Sequence, residues 1–119
     1  MKYDGKVVVG LVEEVKINSS SGKFKKLLAK IDTGATKSSI DTRLAEQLEL
    51  GPVTQSKMIK SAHGNRIRPV IDVEIEMEGK KIKEEFTIAD RSHMSYPVLI
   101  GQNILVRGFI IDPCFKRKR

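Results

Sequence analysis

The chain has one cysteine, Cys114, no tryptophan, two histidines, and few aromatic residues, two Tyr and four Phe. A single cysteine excludes an internal disulfide and fits a reducing compartment. Cys114 follows Pro113 and has no histidine nearby, which argues against a nucleophilic thiol. His63, His93 and Cys114 have no metal-ligand spacing, and His-Glu-x-x-His is missing, so no zinc site is expected. No Gly-x-x-x-x-Gly-Lys loop is present to cradle a nucleotide, and the expectation is a protein without cofactors. No apolar run approaches the length of a membrane span, and no signal-peptide pattern opens the chain. Together with the lone thiol this predicts a cytoplasmic protein with no membrane partner. The scarcity of aromatics leaves no stacking platform, which speaks against single-stranded nucleic acid as a ligand.

What is present is ordinary for a globular chain: 119 residues, 39% hydrophobic and 31% charged, enough for one domain with one core. The formal charge is +7, and four of those charges sit in Lys116-Arg117-Lys118-Arg119. We divide the chain into a domain over 1–113 and a basic tail over 114–119. Such a tail is most often a solvated end, although counterion release also suits it to RNA or an acidic partner.

One stretch organises the rest. The apolar run Leu27-Leu28-Ala29 leads into Lys30-Ile31-Asp32-Thr33-Gly34-Ala35. Asp32 can hold or release a proton. Thr33 can hydrogen-bond the neighbouring backbone. Gly34 lets the chain turn tightly and lets another peptide approach. The tripeptide alone is also an ordinary turn. A second element lies far downstream: Pro97-Val98-Leu99-Ile100-Gly101, an apolar run ending in glycine, followed by a short helical stretch over Gln102–Val106.

Between these elements the pattern is mainly β. Lys6–Ile17 reads as one strand bent at Gly10, and Phe24–Ile31 as the strand feeding Asp32. Ser38-Ser39-Ile40 resumes extended structure. Thr42–Glu49 is predicted helical, with Asp41 as N-cap and Gly51-Pro52 ending it. Lys57–Ala62 and Arg66–Val70 flank the turn-forming cluster His63-Gly64-Asn65. Ile71, Val73, Ile75 and Met77 alternate with acids, a half-buried strand. A tight hairpin at Gly79 is expected to pair Glu78 with Lys81, Glu76 with Lys83 and Val73 with Phe86. Phe109-Ile110-Ile111 is a final strand. The sum is a mostly β domain, a small closed barrel with one or two short helices.

Asp-Thr-Gly-Ala after an apolar strand, with Leu99-Ile100-Gly101 behind it, resembles the retropepsin-like aspartic peptidases. Ala29–Ser39, Asp90–Gly101 and Gly108–Pro113 are similar to a prokaryotic branch labelled "ATP-dependent zinc protease" and associated with a ribosomal-protein glutamate ligase. The likeness covers residues 5–113. The residues here support neither the zinc nor the ATP of that label.

The resemblance implies an aspartic endopeptidase with Asp32 catalytic and with Thr33, Gly34, Ala35, Leu99, Ile100 and Gly101 supporting the loop. This chemistry takes two carboxylates sharing one proton, and the chain has one such loop. The second Asp32 must then come from a second copy in a symmetric homodimer. Thr33 would hydrogen-bond across the pair. His63, Gly64 and Asn65 are the candidate flap; a plain surface hairpin explains them equally. Lys57, Lys60, Arg66 and Arg68 bracket that hairpin, either as solvated side chains or as a field steering acidic peptide substrates. Two basic tails side by side would repel, so the dimer is not expected to form through Lys116–Arg119. The alternative function is a non-catalytic peptide-binding or dimerisation module on the same fold, and a weaker one is a small RNA-associated domain.

Overall fold

The computed structural model describes residues 1–61 and 64–116. His63 of the candidate flap and Arg117–Arg119 of the tail lie outside the described residues. The elements in chain order are β1 (Lys2–Tyr3), β2 (Lys6–Val9), β3 (Val12–Asn18), β4 (Phe24–Ile31), β5 (Ser38–Asp41), α1 (Thr42–Gln47), β6 (Gln55–Ser61), β7 (Gly64–Met77), β8 (Lys80–Ala89), β9 (Val98–Ile100), α2 (Gln102–Leu105) and β10 (Phe109–Ile111).

The expected first strand is two strands in two sheets. β2 pairs with β1 and, in parallel, with β10, whereas β3 pairs with β4 and β7. The break falls at Gly10, where only glycine fits: a Cβ there would sit 2.6 Å from the Phe115 carbonyl oxygen. Glu13, fully buried one turn later, accepts the Gly10 N–H at 2.7 Å and Lys116 Nζ at 3.3 Å. A buried carboxylate is costly unless paired; here it ties the end of the described chain to the barrel.

Strands β3-β4-β9-β5-β8-β7 are neighbours in that order, and the β3–β7 pairing closes them into a six-stranded barrel. The fold class is therefore as expected, mostly β with two short helices. Alternation places Val15, Ile17, Val73, Ile75, Met77 and Phe86 inside, each at most 1% exposed. Burying a side chain of this size contributes about 1.5–3 kcal/mol. Ile104 and Leu105 of α2 and Leu44 and Ala45 of α1 close the barrel's flanks.

Two local expectations need correction. The hairpin joining β7 to β8 pairs Met77 with Lys80, so Glu76 faces Lys81, Glu74 faces Lys83 and Ile71 faces Phe86. Glu78 and Gly79 both adopt left-handed backbone, φ 50° and 77°, the geometry of a two-residue type I′ loop. The register differs from the expected one by two residues, and a two-residue slide leaves every side chain on its original face. The helix α1 also stops earlier. Asp41 caps its start as expected, accepting the Arg43 N–H at 3.1 Å. At its end Glu49 turns left-handed (φ 54°), the Glu49 N–H reaches Glu46 O and the Leu50 N–H reaches Ala45 O. That is a Schellman cap with glutamate where glycine is usual. Gly51-Pro52 lies beyond it.

Candidate active site

β4 delivers Asp32 to the barrel rim. It runs parallel to β9, with Ala29, Lys30 and Ile31 beside Val98, Leu99 and Ile100. The Asp32 N–H donates to Ile100 O at 2.9 Å, so the ladder continues up to the carboxylate itself. Its Oδ1 then accepts the Gly34 N–H at 2.9 Å, and its carbonyl accepts the Ala35 N–H at 3.3 Å. The carboxyl is thereby pinned to its own turn, half-buried, with the exposed Thr33 and Gly34 after it. Among the described residues the Thr33 hydroxyl has no hydrogen-bond partner; Thr33 is fixed through its carbonyl, which accepts Gln102 Nε2 at 2.7 Å.

The segment Leu99-Ile100-Gly101 passes directly behind this loop. A Cβ on Gly101 would lie 2.5 Å from Lys37 O and 2.8 Å from Ala35 O. The Gly101 N–H donates to Ser38 Oγ at 3.0 Å, the Gln102 N–H to Ala35 O at 2.8 Å and the Asn103 N–H to Thr36 O at 3.2 Å. Asn103 completes the clamp. Its Oδ1 accepts from both the Ser38 N–H and the Ser38 hydroxyl, and its Nδ2 donates to Glu85 O at 2.8 Å. Ile100 is core, whereas Leu99 turns half-exposed toward the rim. The structure thus brings together Asp32, Thr33, Gly34, Ala35, Leu99, Ile100 and Gly101.

Three supporting residues were not singled out from sequence: Ser38, Gln102 and Asn103. The signal for the last two was there, two amides opening a short stretch whose Ile104 and Leu105 are buried. Arg91 was also missed. Its Nε donates to Tyr96 O at 3.0 Å and its Nη1 to Ser39 Oγ at 3.2 Å, and its backbone N–H reaches Asp41 Oδ1 at 2.8 Å. Burial, with Arg68 nearby, pulls this guanidinium below its usual value, and the charges of Asp41 and Asp32 act in the opposite direction.

Arg91 and Leu99 form a ridge between two cavities. One, about 450 Å³, contains Asp32 and is walled by Leu11, Met94 and Tyr96. Leu11 and Met94 are large apolar side chains left 48% and 61% exposed. The other, about 550 Å³, runs from Gly34 and Ala35 to the hairpin of β6 and β7. Lys57, Met58, Ile59, Lys60 and Arg68 supply its hairpin side, and Lys37 and Arg91 face them. Of the four expected basic residues, Arg66 does not line it. The hairpin pairs Lys57 with Arg68, Met58 with Ile67 and Lys60 with Asn65, and closes at Ser61 opposite Gly64. Gly64 is left-handed at φ 107° and exposed, as is Asn65. The part of the hairpin formed by Lys57–Lys60 and Arg68 therefore faces the Asp32 loop across the basic cavity, and Gly64 and Asn65 of the candidate flap do not line it. Among the described residues no group of three or more His, Cys, Asp or Glu is placed to hold a metal ion, and no helix is long and apolar enough to cross a membrane.

The comparisons with known proteins follow the same lines. The crystal structure of a Legionella pneumophila protein of unknown function (DUF785) superposes with a TM-score of 0.62 at 20% identity, over 91% of this chain and 94% of that one. At that identity the likeness concerns the fold. No curated protein matches the sequence. A family model, RimB-like, described as retropepsin-like aspartic endopeptidase RimB, matches residues 41–119. That span begins after the Asp32 loop and takes in the hairpin, the ridge and the Gly101 clamp, so the family is recognised by the frame around the carboxylate. On this match the chain belongs to the RimB-like family of retropepsin-like aspartic endopeptidases.

Proposed function

We propose that the protein is an aspartic endopeptidase that works as a homodimer, with Asp32 of each copy forming the catalytic pair. The observation that carries this reading is the carboxylate of Asp32, half-exposed at a cavity yet fixed by the Gly34 N–H and backed by the Gly101 segment. A carboxylate so held keeps its orientation without being sealed from a partner. One acid alone does not hydrolyse a peptide. Two about 3 Å apart share a proton: the ionised one draws a proton from water, and the protonated one polarises the scissile carbonyl and then serves the leaving nitrogen. The Thr33 hydroxyl, without a partner among the described residues, and the exposed Leu11 and Met94 beside Asp32 are suited to a second copy and to substrate.

The hairpin of β6 and β7 would act as the flap that excludes water. The cavity beneath it favours acidic peptides, because Lys37, Lys57, Lys60, Arg68 and Arg91 line it and, among the described residues, no carboxylate does. The resemblance to the branch associated with a glutamate ligase points the same way. Asp32→Asn should abolish cleavage of a mixed peptide pool while leaving the melting transition and the sedimentation coefficient unchanged. Activity retained by that variant, or a strictly monomeric active wild type, would sink the assignment.

A further inference from the structure

Two of the five cations in the basic cavity are already occupied. Glu85, on β8, accepts Lys57 Nζ at 3.0 Å and Lys37 Nζ at 3.4 Å on Oε1, and Gln55 Nε2 at 2.7 Å on Oε2. Its carboxylate lies outside the cavity lining, whereas both lysines belong to it. Among the described residues the other three cations there, Lys60, Arg68 and Arg91, have no carboxylate within ion-pair distance. The Lys37, Lys57 and Glu85 side chains are each about one-third exposed, so this ion cluster is open to water and to exchange. The donors come from separate parts of the chain. Lys37 ends the Asp32 loop, and Gln55 and Lys57 belong to the outer strand of the hairpin.

We propose that Glu85 is a resident competitor for acidic substrate: it holds Lys37 and Lys57 in the empty site and yields them to an incoming carboxylate. This inference rests on the acidic-peptide reading given above. A neutral side chain gains nothing by displacing Glu85. An acidic one exchanges one anion for another, and the exchange removes the Lys57 tie between the hairpin and β8 as the peptide enters, leaving the Gln55 tie. Glu85 then sets how strongly acidity is rewarded, and it does so without touching the reacting atoms. The competing explanation is a plain brace that ties the hairpin down, and the two differ in what they do to acidic and neutral ligands.

The test is calorimetric binding to the full chain carrying Asp32→Asn, with and without Glu85→Gln. The probes are a capped peptide bearing three glutamates and the same peptide with glutamines. Removing one unit charge about 4 Å from the ligand's charge in an aqueous setting should tighten the glutamate peptide about fivefold at low salt. The gain should shrink at high salt, and the glutamine peptide should be unaffected. Adding Lys57→Met should erase the gain. Equal changes for both peptides, or weaker binding of the glutamate peptide, would mean a brace and overturn the inference alone. Absence of glutamate-peptide binding by both proteins would overturn it together with the acidic-substrate reading. Should Glu85→Gln lose its cooperative melt, Glu85→Asp, whose shorter arm cannot reach both lysines, must give the same direction with a smaller gain.

Discussion

Gly101 is the position at which a single methyl group separates fold from site. Its φ is −101°, a value any residue adopts, so glycine is not needed there for conformation. It is needed for space. A Cβ would lie 2.5 Å from Lys37 O, 2.7 Å from Lys37 C and 2.8 Å from Ala35 O, all backbone atoms that no rotamer change can move. Restoring an ordinary contact near 3.4 Å takes about 0.9 Å of separation between β9 and the Asp32 loop. That displacement stretches the 3.0, 2.8 and 3.2 Å bonds from Gly101, Gln102 and Asn103 beyond useful length. Overpacking of this kind costs about 1–3 kcal/mol, and each weakened internal hydrogen bond about 1 kcal/mol. Gly101→Ala should therefore lose about 4–6 kcal/mol, a fall in Tm on the order of 20 °C for a domain of this size. Urea unfolding and thermal melting measure the first quantity, and peptide cleavage measures the second consequence, since Asp32 moves with its loop. A useful control is Gly34→Ala, whose added Cβ would approach only Asp32 Oδ1, at 3.2 Å. A Gly101→Ala protein that melts within about 2 °C of wild type would refute the claim that contact, and not conformation, reserves this site for glycine.

Asn103→Ala should cost about 1–3 kcal/mol in urea unfolding, because it strands the buried Ser38 N–H and hydroxyl and frees Glu85 O. Asn103→Asp keeps the acceptor for Ser38 but turns a charged oxygen toward Glu85 O, so it should recover only the Ser38 part of that loss. Stability should also respond to acid through Glu85, whose carboxyl is held below its usual value by hydrogen bonds from Lys57 and Lys37. A depressed folded-state pKa contributes stability at pH values above the unfolded value of 4.5, and this contribution fades as pH falls through the lower folded value. Melting followed from pH 7 to pH 3 should show that loss in the wild type, and the Glu85→Gln protein should lack this part of it.

The parts of the site that were legible in sequence are those written in neighbouring residues. An apolar strand, an acid and a glycine stand side by side at Ile31-Asp32-Thr33-Gly34, and Leu99-Ile100-Gly101 is equally compact. The N-cap at Asp41 and the alternation along β7 are local too. What the sequence hid depends on distant partners. The need for glycine at position 10 comes from the Phe115 carbonyl, 105 residues away. Asn103 acquires its purpose from Ser38, 65 residues away, and Arg91 from Ser39, 52 residues away. The hairpin register escaped for a different reason: a two-residue slide preserves the inside–outside pattern, so hydrophobicity has no vote and only the left-handed pair Glu78-Gly79 decides. Likewise Arg66–Val70 and the alternating stretch after it are one continuous strand, β7, whose Pro69 lies opposite Ser56 of the edge strand β6, where a missing N–H is tolerated.

That continuity has a mechanical consequence. β7 is 14 residues long, and it meets β8 and then β3 only from Val70 onward. Before Val70 its partner is β6 alone, and the pair carries Met58 and Ile67 at 60% and 71% exposure, opposite each other. So one strand is barrel wall at one end and free hairpin at the other. The change falls at Val70, 1% exposed, whose carbonyl accepts both the Thr54 N–H and the Thr54 hydroxyl. A segment with few buried apolar contacts opens at a small fraction of the global unfolding free energy. On the proposed reading, the hairpin would lift while the barrel, and with it the clamp behind Asp32, stays closed. Just beyond that pivot its side-chain ties to the barrel are Gln55 and Lys57 on Glu85. Placing this tie at the base of the hairpin would link, on the proposed reading, what enters the cavity to whether the hairpin is held, and it does so with one carboxylate.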